Sequence, residues 1–290
     1  MAAAAEINLQ DWIGRSESRE DVATPSAANR LAALLDHETA PWPAETLPPL
    51  GHWLYFLSHA RQSQLDADGH PHRGGLLPPI DLPRRMWAGS RIDILASVPL
   101  NTEMRQVSTI RHISEKTGRS GHLVFVTVQH DVFCGNTACI REEQDLVYRE
   151  EAKAGNQPAE TAPPASGMAL DYPQQRIVQP DPTMLFRFSA LTFNSHRIHY
   201  DRPYATAVEG YPDLVVHGPL TAMLLTDQAL RAMPGRRLCS IAFRALAPAF
   251  CGRPLRLCST MGPQIGSFAL AAYDDAGRRI MTADAAFAAD

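Results

Sequence analysis

The sequence predicts an α+β protein built twice over, each half a long helix wrapped by an antiparallel sheet. Three observations predict it: a helix of fully buried type over residues 215–233, a run of alternating strands behind it, and the same order of helix then strands in the first half. Two unrelated α+β domains are the competing arrangement.

The 290 residues divide into 1–152, a linker over 153–182, and 183–290. Pro, Ala, Gly and Gln dominate the linker, which cannot bury enough apolar surface to order itself alone. In the first half LPPLGHWLYFLSHARQSQL (47–65) is expected as a Trp- and Leu-rich helix, followed by strands in RIDILASV, EMRQVSTIRHIS, HLVFVTVQHDVF and ACIREEQDLVYR. In the second half VVHGPLTAMLLTDQALRAM opens on Gly218-Pro219, a favoured helix start, and stops before Pro234-Gly235. Leu220, Met223, Leu224, Leu225, Ala229 and Leu230 coat that helix nearly all round, which marks it as buried. LCSIAFRALA, RPLRLCSTM, SFALAAYD and RRIMTADAAFA then read as a meander, the last two joined by Asp275-Ala276-Gly277. One helix wrapped by an antiparallel sheet, twice in one chain, is a tandem (double) hot-dog arrangement.

Apolar residues make up 45% and charged residues 20%, the composition of a globular chain. A net charge of −4 with scattered arginines excludes a phosphate-backbone binder, so no nucleic acid is expected. MAAAAEINLQDW lacks the order of a secretory signal and no run is long enough to span a bilayer, so the expected location is the cytoplasm, away from membranes. Cys134, Cys139, Cys239, Cys251 and Cys258 lack CxxC spacing and are expected as reduced thiols, four of them in strands.

The densest polar cluster of the second half is Asn194-Ser195-His196-Arg197-Ile198-His199-Tyr200-Asp201-Arg202, placed between an expected strand in MLFRFSALTF and the turn at Arg202-Pro203. Histidine exchanges protons near neutral pH, and a neighbouring amide or carboxylate can fix its tautomer or hold a water. His196 and His199 have no third ligand at a recognised metal spacing, so neither metal nor cofactor is expected. Behind the cluster, VVHG at a helix start suits an oxyanion site: Pro219 has no N–H, which makes the Gly218 amide the donor for a thioester carbonyl. His217 beside it reads as a supporting hydrogen-bonding residue. His112, His122 and His130 read as strand histidines without partners.

The stretch FRFSALTFNSHRIHYDRPYA…VVHGPLTAMLL resembles the MaoC-like hydratase signature, in the variant of type 2 hydroxyacyl-thioester dehydratases and mesaconyl- and itaconyl-CoA hydratases. DWIGRSE, HPHRGG, LPP and LPRRMWAG resemble the N-terminal domain of the same bacterial hydratases, so the likeness covers nearly the whole chain. It implies that His199 transfers the proton. Asn194 stands where the signature has an aspartate, and the resemblance implies that its amide orients the water. Asp201, Tyr204 and Ala205 match the continuation and read as supports of the loop. The first half is then non-catalytic and forms a wall of the acyl tunnel. Arg73, Arg84 and Arg85, with Trp87 beside them, are expected in a rigid Pro/Gly-rich loop that presents guanidinium groups to CoA phosphates or an acyl carboxylate, and Arg197 is grouped with them.

The expected activity is that of a hydro-lyase adding water to the 2,3-double bond of an enoyl-CoA, of the short branched dicarboxylyl type (mesaconyl or itaconyl). The alternatives are a broader 3-hydroxyacyl-thioester dehydratase of fatty-acid synthesis, a non-catalytic acyl-CoA-binding protein, and a thioester hydrolase, for which the first carboxylate in the long helix is Asp227. The partners are the acyl-CoA and, as an open option, a second copy of the chain.

Overall fold

The computed structural model describes residues 8–118, 121–150 and 172–288. Ten strands form one antiparallel sheet in the order β1-β3-β4-β5-β2-β7-β10-β9-β8-β6. They are β1 Ser16–Val22, β2 Arg84–Ile94, β3 Glu103–Gly118, β4 Gly121–Cys134, β5 Thr137–Arg149, β6 Gln174–Val178, β7 Leu238–Ala245, β8 Leu255–Met261, β9 Ser267–Tyr273 and β10 Arg279–Phe287. The order is a mirror image about its centre. Each strand of the first half has a counterpart, β2 with β7, β5 with β10, β4 with β9, β3 with β8 and β1 with β6. The duplication is therefore visible in the topology, and β2 pairs β7 from Gly89↔Arg244 to Asp93↔Ser240 to make the two halves one sheet.

Short turns set the registers. Cys134 pairs Thr137 across Gly135-Asn136, with Gly135 at φ 56°, a two-residue hairpin turn of the kind that requires a left-handed residue. Between β9 and β10 the Asp274 carboxylate accepts the Ala276 and Arg278 N–H groups at 3.1 and 2.8 Å, closing the turn around Gly277.

Among the described residues three α-helices accompany the sheet: α1 Pro25–Leu34, α2 Pro182–Thr192 and α3 Gly218–Ala232. α3 is the expected central helix, buried at every residue from Leu220 to Leu230, and it packs across β7, β8, β9 and β10. No helix among the described residues is long and apolar enough to cross a membrane.

Four expectations are corrected. Residues 47–65 are not a helix. They form an irregular segment with short turns at Gly51–Leu54 and Gln62–Gln64, interrupted by Pro48-Pro49 and by left-handed Leu50 (φ 61°) and Phe56 (φ 56°). The first half's helix is instead the ten-residue α1, which packs on α2. MLFRFSALTF is not a strand but most of α2, started by the Asp181 carboxylate accepting Met184 N–H at 2.7 Å, with Pro182 at the first helical position and left-handed Phe193 at its end. LPRRMWAG is the start of β2, not a loop. Of the span 153–182, residues 153–171 lie outside the described residues, and Gln174–Val178 forms β6 against β8.

The irregular segment 47–65 has a reason for its shape. It turns His52 and Trp53 onto Glu142, a buried carboxylate on the inner face of β5: His52 Nε2 lies 2.8 Å and Trp53 Nε1 2.9 Å from its Oε2, while Ser90 Oγ donates to Oε1 at 2.6 Å. Burial opposes the Glu142 charge, but these contacts outweigh it and hold its carboxyl down to about 2. Trp87 Nε1 donates to the same Ser90 at 3.1 Å, and Trp53, Trp87 and Phe243 meet ring to ring at 6.2–6.4 Å, across the junction of β2 and β7. Removing the carboxylate strands several buried donors at once. Glu142→Ala is expected to lower stability by about 3–5 kcal/mol in urea denaturation, and a loss below ~1 kcal/mol would show that the network does not hold the two halves.

Candidate active site

The loop from Asn194 to Asp201 follows α2 and is moulded by its own polar groups. Asn194 Oδ1 accepts the His196 N–H at 2.9 Å, so this oxygen shapes the loop. Arg197 makes a forked contact to Asp201 Oδ2 at 3.0 and 2.7 Å, lies 4.0 Å over the Tyr204 ring, and donates to the Ala67 carbonyl at 3.0 Å. Asp201 Oδ1 accepts Tyr204 N–H at 3.1 Å. Ala205 is fully buried behind them.

His199 ends a short turn whose backbone is tied to the chain leading into α3, Val215 N–H donating to Ile198 O at 2.9 Å. Its Nδ1 sits 2.7 Å from the Val215 carbonyl, which can only accept, so Nδ1 carries the proton and Nε2 keeps a free lone pair. Burial drives His199 down to about 4, with the Val215 carbonyl pulling weakly upward. The ring is therefore a neutral base at pH 7. It gains a proton only well below the free histidine value of ~6.5.

His217 stacks on His199 with ring centroids 3.6 Å apart and is fixed by Ser189 Oγ of α2 at 2.9 Å from Nε2. Burial holds it well below its ordinary value, with the charges of His199 and His196 acting the same way. The next residue, Gly218, opens α3, where an amide has no carbonyl of its own helix to reach. A Cβ there would come within 2.9 Å of the Trp87 ring. Trp87 thus packs against the helix start, and glycine is the residue that fits. His199, His217 and the Gly218 amide lie side by side.

The first half reaches this loop through residues 66–70. Gly69, at φ 90°, is pressed against the Ser195 backbone, where a Cβ would sit 1.9 Å from the carbonyl oxygen. Ser195 Oγ donates to Gly69 O at 2.6 Å and Arg197 N–H to Asp68 O at 2.8 Å. Asp68 and His70 come with this turn. Asp68 Oδ2 lies 2.9 Å from His70 Nδ1, its Oδ1 accepts the His70 N–H at 2.8 Å, and the His70 ring lies 4.1 Å from that of His196, which meets His199 edge-on at 5.4 Å. Burial works against the Asp68 charge, but the contacts from His70 outweigh it and hold the carboxyl far below the usual range. Asp68, His70 and His196 have ligand-type atoms within 4.8 Å of one another. Both Asp68 oxygens are turned to His70, the arrangement of a carboxylate that orients a histidine. The sequence singled out neither Asp68 nor His70 for chemistry; their signal is a contact across some 125 residues.

The arginines separate in space. Arg73 donates to the carbonyls of Ile80, Leu82 and Pro83 and clamps its own loop. Arg84 donates to Glu209 O at 2.8 Å, pairs with its carboxylate at 3.3 Å and covers Tyr211. It borders a cleft of about 650 Å³ also lined by Asp68, Arg73 and Tyr204. Arg85 stands opposite the buried Tyr148 in the β2–β5 ladder, on the inner face that also carries Trp87. Among the described residues no carboxylate is paired with it. Its charge opposes the burial that raises Tyr148 and adds to the burial that lowers His196.

One other expectation changes, and one alternative loses its candidate group. His122 lies 2.9 Å from Glu115 and His130 Nδ1 2.8 Å from Ser108 Oγ, so neither lacks a partner. Asp227 of α3 is buried and held by His37, Arg176 and Arg231 at 2.6–3.0 Å, which leaves no carboxylate there to activate water for thioester hydrolysis.

The family model described as hydroxyacyl-thioester dehydratase type 2 matches residues 50–251, more than half of the chain. The chain belongs to the type 2 hydroxyacyl-thioester dehydratase family. This is a family of hydro-lyases, and the match spans the 66–70 turn, the 194–201 loop and α3. A mesaconyl-C(4)-CoA hydratase of Chloroflexus aurantiacus is 49% identical over 247 residues, 85% of this chain and 86% of the relative. A MaoC-like dehydratase structure from Phytophthora capsici superposes with a TM-score of 0.67 at 13% identity, covering 98% of this chain and all of the other. A Mycobacterium tuberculosis protein described as having a double hotdog fold superposes with a TM-score of 0.57 at 13% identity over 95% of this chain and 96% of its own. The fold of this dehydratase-family chain is the double hot-dog.

Three neutral histidines packed together make the family site acid-sensitive. His196 is pushed by burial to about 2, His199 to about 4, and His217 well below its ordinary value, while each takes up a proton near 6.5 once unfolded. The unfolded chain then binds more protons than the folded one, so stability is present above pH ~6.5 and is lost as pH falls toward 4. Each such histidine contributes a slope of about 1.4 kcal/mol per pH unit in that window. Urea midpoints measured from pH 7 to 4 are expected to fall, and His196→Gln to flatten the fall by one histidine's worth. A wild-type midpoint that stays level would mean the histidines are hydrated.

Proposed function

We propose that the chain adds water reversibly across the 2,3-double bond of an enoyl-CoA bearing a free carboxylate, a short branched dicarboxylyl-CoA of the mesaconyl type. The observation that carries this reading is the neutral His199, its proton fixed on Nδ1 by the Val215 carbonyl and its ring stacked beside the start of α3. In the hydration direction Nε2 removes a proton from water as oxygen bonds to the β-carbon. Negative charge gathers on the thioester oxygen, which the Gly218 N–H at the helix start stabilises. Asn194, whose Oδ1 is used by the loop, still has its amide N–H groups to hold the attacking water. The 49% identity to a mesaconyl-C(4)-CoA hydratase supports the substrate class.

Arg85 is the cation we assign to the substrate carboxylate. Arg73 and Arg84 are engaged by carbonyls and by Glu209, whereas Arg85, hydrogen-bonded to Tyr148 on the inner face, has no carboxylate partner among the described residues and acts on His196. The first half is thereby a wall of the acyl tunnel that supplies recognition. A cytoplasmic location fits the five free cysteines.

The test mixes the protein with mesaconyl-, itaconyl- and crotonyl-CoA and follows the enoyl-thioester absorbance together with released thiol. Loss of the band without thiol, fastest for a dicarboxylyl substrate, is the expected result. Thiol release would mean hydrolysis, and equal rates with crotonyl-CoA would favour a broad dehydratase. His199→Ala is expected to lower the rate by about 10²–10⁴. For wild type, the acid limb of kcat/KM is expected near pH 4, set by burial of His199. Arg85→Met should reduce kcat/KM for mesaconyl-CoA by about 10- to 100-fold, the worth of one charged hydrogen bond, mainly through KM. Arg84→Met should have little effect, and the reverse order would move the carboxylate site.

A further inference from the structure

Adding water to a carbon–carbon double bond moves two protons, one off the water and one onto the α-carbon. His199, a neutral base at pH 7, accounts for the first. Nothing else on the 194–201 loop is placed for the second: Arg197 and Asp201 neutralise each other, and His196 is held neutral. The first half carries a different kind of group. His70 has its Nδ1 on the Asp68 carboxylate at 2.9 Å, the contact by which a carboxylate fixes a histidine's tautomer and ring orientation. Its position is held from both sides, because the 66–70 turn is fastened to the catalytic loop by Ser195 Oγ, Arg197 N–H and the close approach of Gly69. The ring lies 4.1 Å from that of His196, tilted 39° to it, and His196 in turn meets His199 edge-on at 5.4 Å.

We propose that His70, aimed by Asp68, is a second catalytic acid/base, supplied to the active site by the half of the chain that lacks the catalytic loop. This rests on the hydratase reading above. In hydration, His199 takes a proton from water while the water oxygen bonds the β-carbon. The π electrons shift to the α-carbon, and protonated His70 gives that carbon its Nε2 proton. His199 then releases its proton to solvent, and His70, whose side chain is 24% exposed, regains one. One water is consumed and both groups end as they began. Dehydration runs the same steps backward, with His70 as the base at the α-carbon. The charged and titratable groups facing His70 are Asp68, His196 and His199, with Arg197 over the same turn and Arg85 acting on His196 from β2.

The test uses the full chain and mesaconyl-CoA, or whichever enoyl-CoA the wild type hydrates fastest. His70→Ala is expected to lower kcat by about 10²-fold or more, the usual worth of one proton-transfer group, with KM changed far less. Added imidazole, which can enter at the partly exposed His70 position, is expected to restore part of that loss and to leave wild type unchanged. His70→Gln keeps a donor for Asp68 but cannot carry a proton, so it should melt like wild type and be as slow as His70→Ala. The proposal is overturned if His70→Gln turns over within about threefold of wild type, or if His70→Ala is slow but imidazole restores nothing, the pattern of a purely structural turn. A wild-type chain that hydrates no enoyl-CoA defeats the hydratase reading instead, so the two failures are separate.

Discussion

The ladder between β2 and β7 is the interaction on which the rest depends. Five residue pairs, from Gly89↔Arg244 to Asp93↔Ser240, turn two five-stranded sheets into one. Because the ladder fixes the halves edge to edge, their inner faces are continuous, and Trp87 of β2 lies under the first residue of α3. The same registration sets the 66–70 turn on the 194–201 loop with Gly69 against Ser195. These two contacts bring Trp87, Asp68 and His70 to the site, while His199 and His217 are held from within the second half by the Val215 carbonyl and Ser189. A duplicated fold thus becomes asymmetric in use: the second half keeps the central helix and the loop, and the first half gives its shortened helix to α2 and its inner face and turns to the site.

Desolvation is the second constraint. A histidine beside the start of a helix and two other histidines has every reason to stay neutral: burial disfavours charge, and its neighbours would repel it. This costs stability in acid and yields a base that is unprotonated throughout the neutral range. The opposite treatment of the carboxylates completes the electrostatics. Glu142 is kept ionised by donors brought to it from distant segments and Asp68 by His70 of its own turn, and both belong to the first half.

The legible part of the sequence was whatever is local. α3 was readable because Gly218-Pro219 starts it and apolar residues surround it, and β3, β4, β5 and β7 to β10 because they alternate between turn residues. His199 was readable because a polar loop in an apolar setting is conspicuous. Residues 184–193 are apolar without a polar face, so strand and helix cannot be told apart by period, and the start signal Asp181-Pro182 lay in a stretch read as linker. Residues 47–65 have helical composition, but Pro48-Pro49 and the pull of Glu142 on His52 and Trp53 override it. Asp68 and His70 sit in DADGH, which reads as an ordinary turn; their role comes from a contact in the other half that no local pattern encodes.

The central claim is that one site, centred on a neutral His199, is built by both halves. Nitrogen-15 correlation spectroscopy of histidine-labelled protein, titrated with a saturated and unreactive dicarboxylyl-CoA, tests it most directly. The account predicts that His199 is the Nδ1–H neutral tautomer from pH 5 to 8, and that bound ligand shifts the ring nitrogens of both His199 and His70. A His199 that is protonated at pH 6, or a ligand that shifts neither ring, would contradict it.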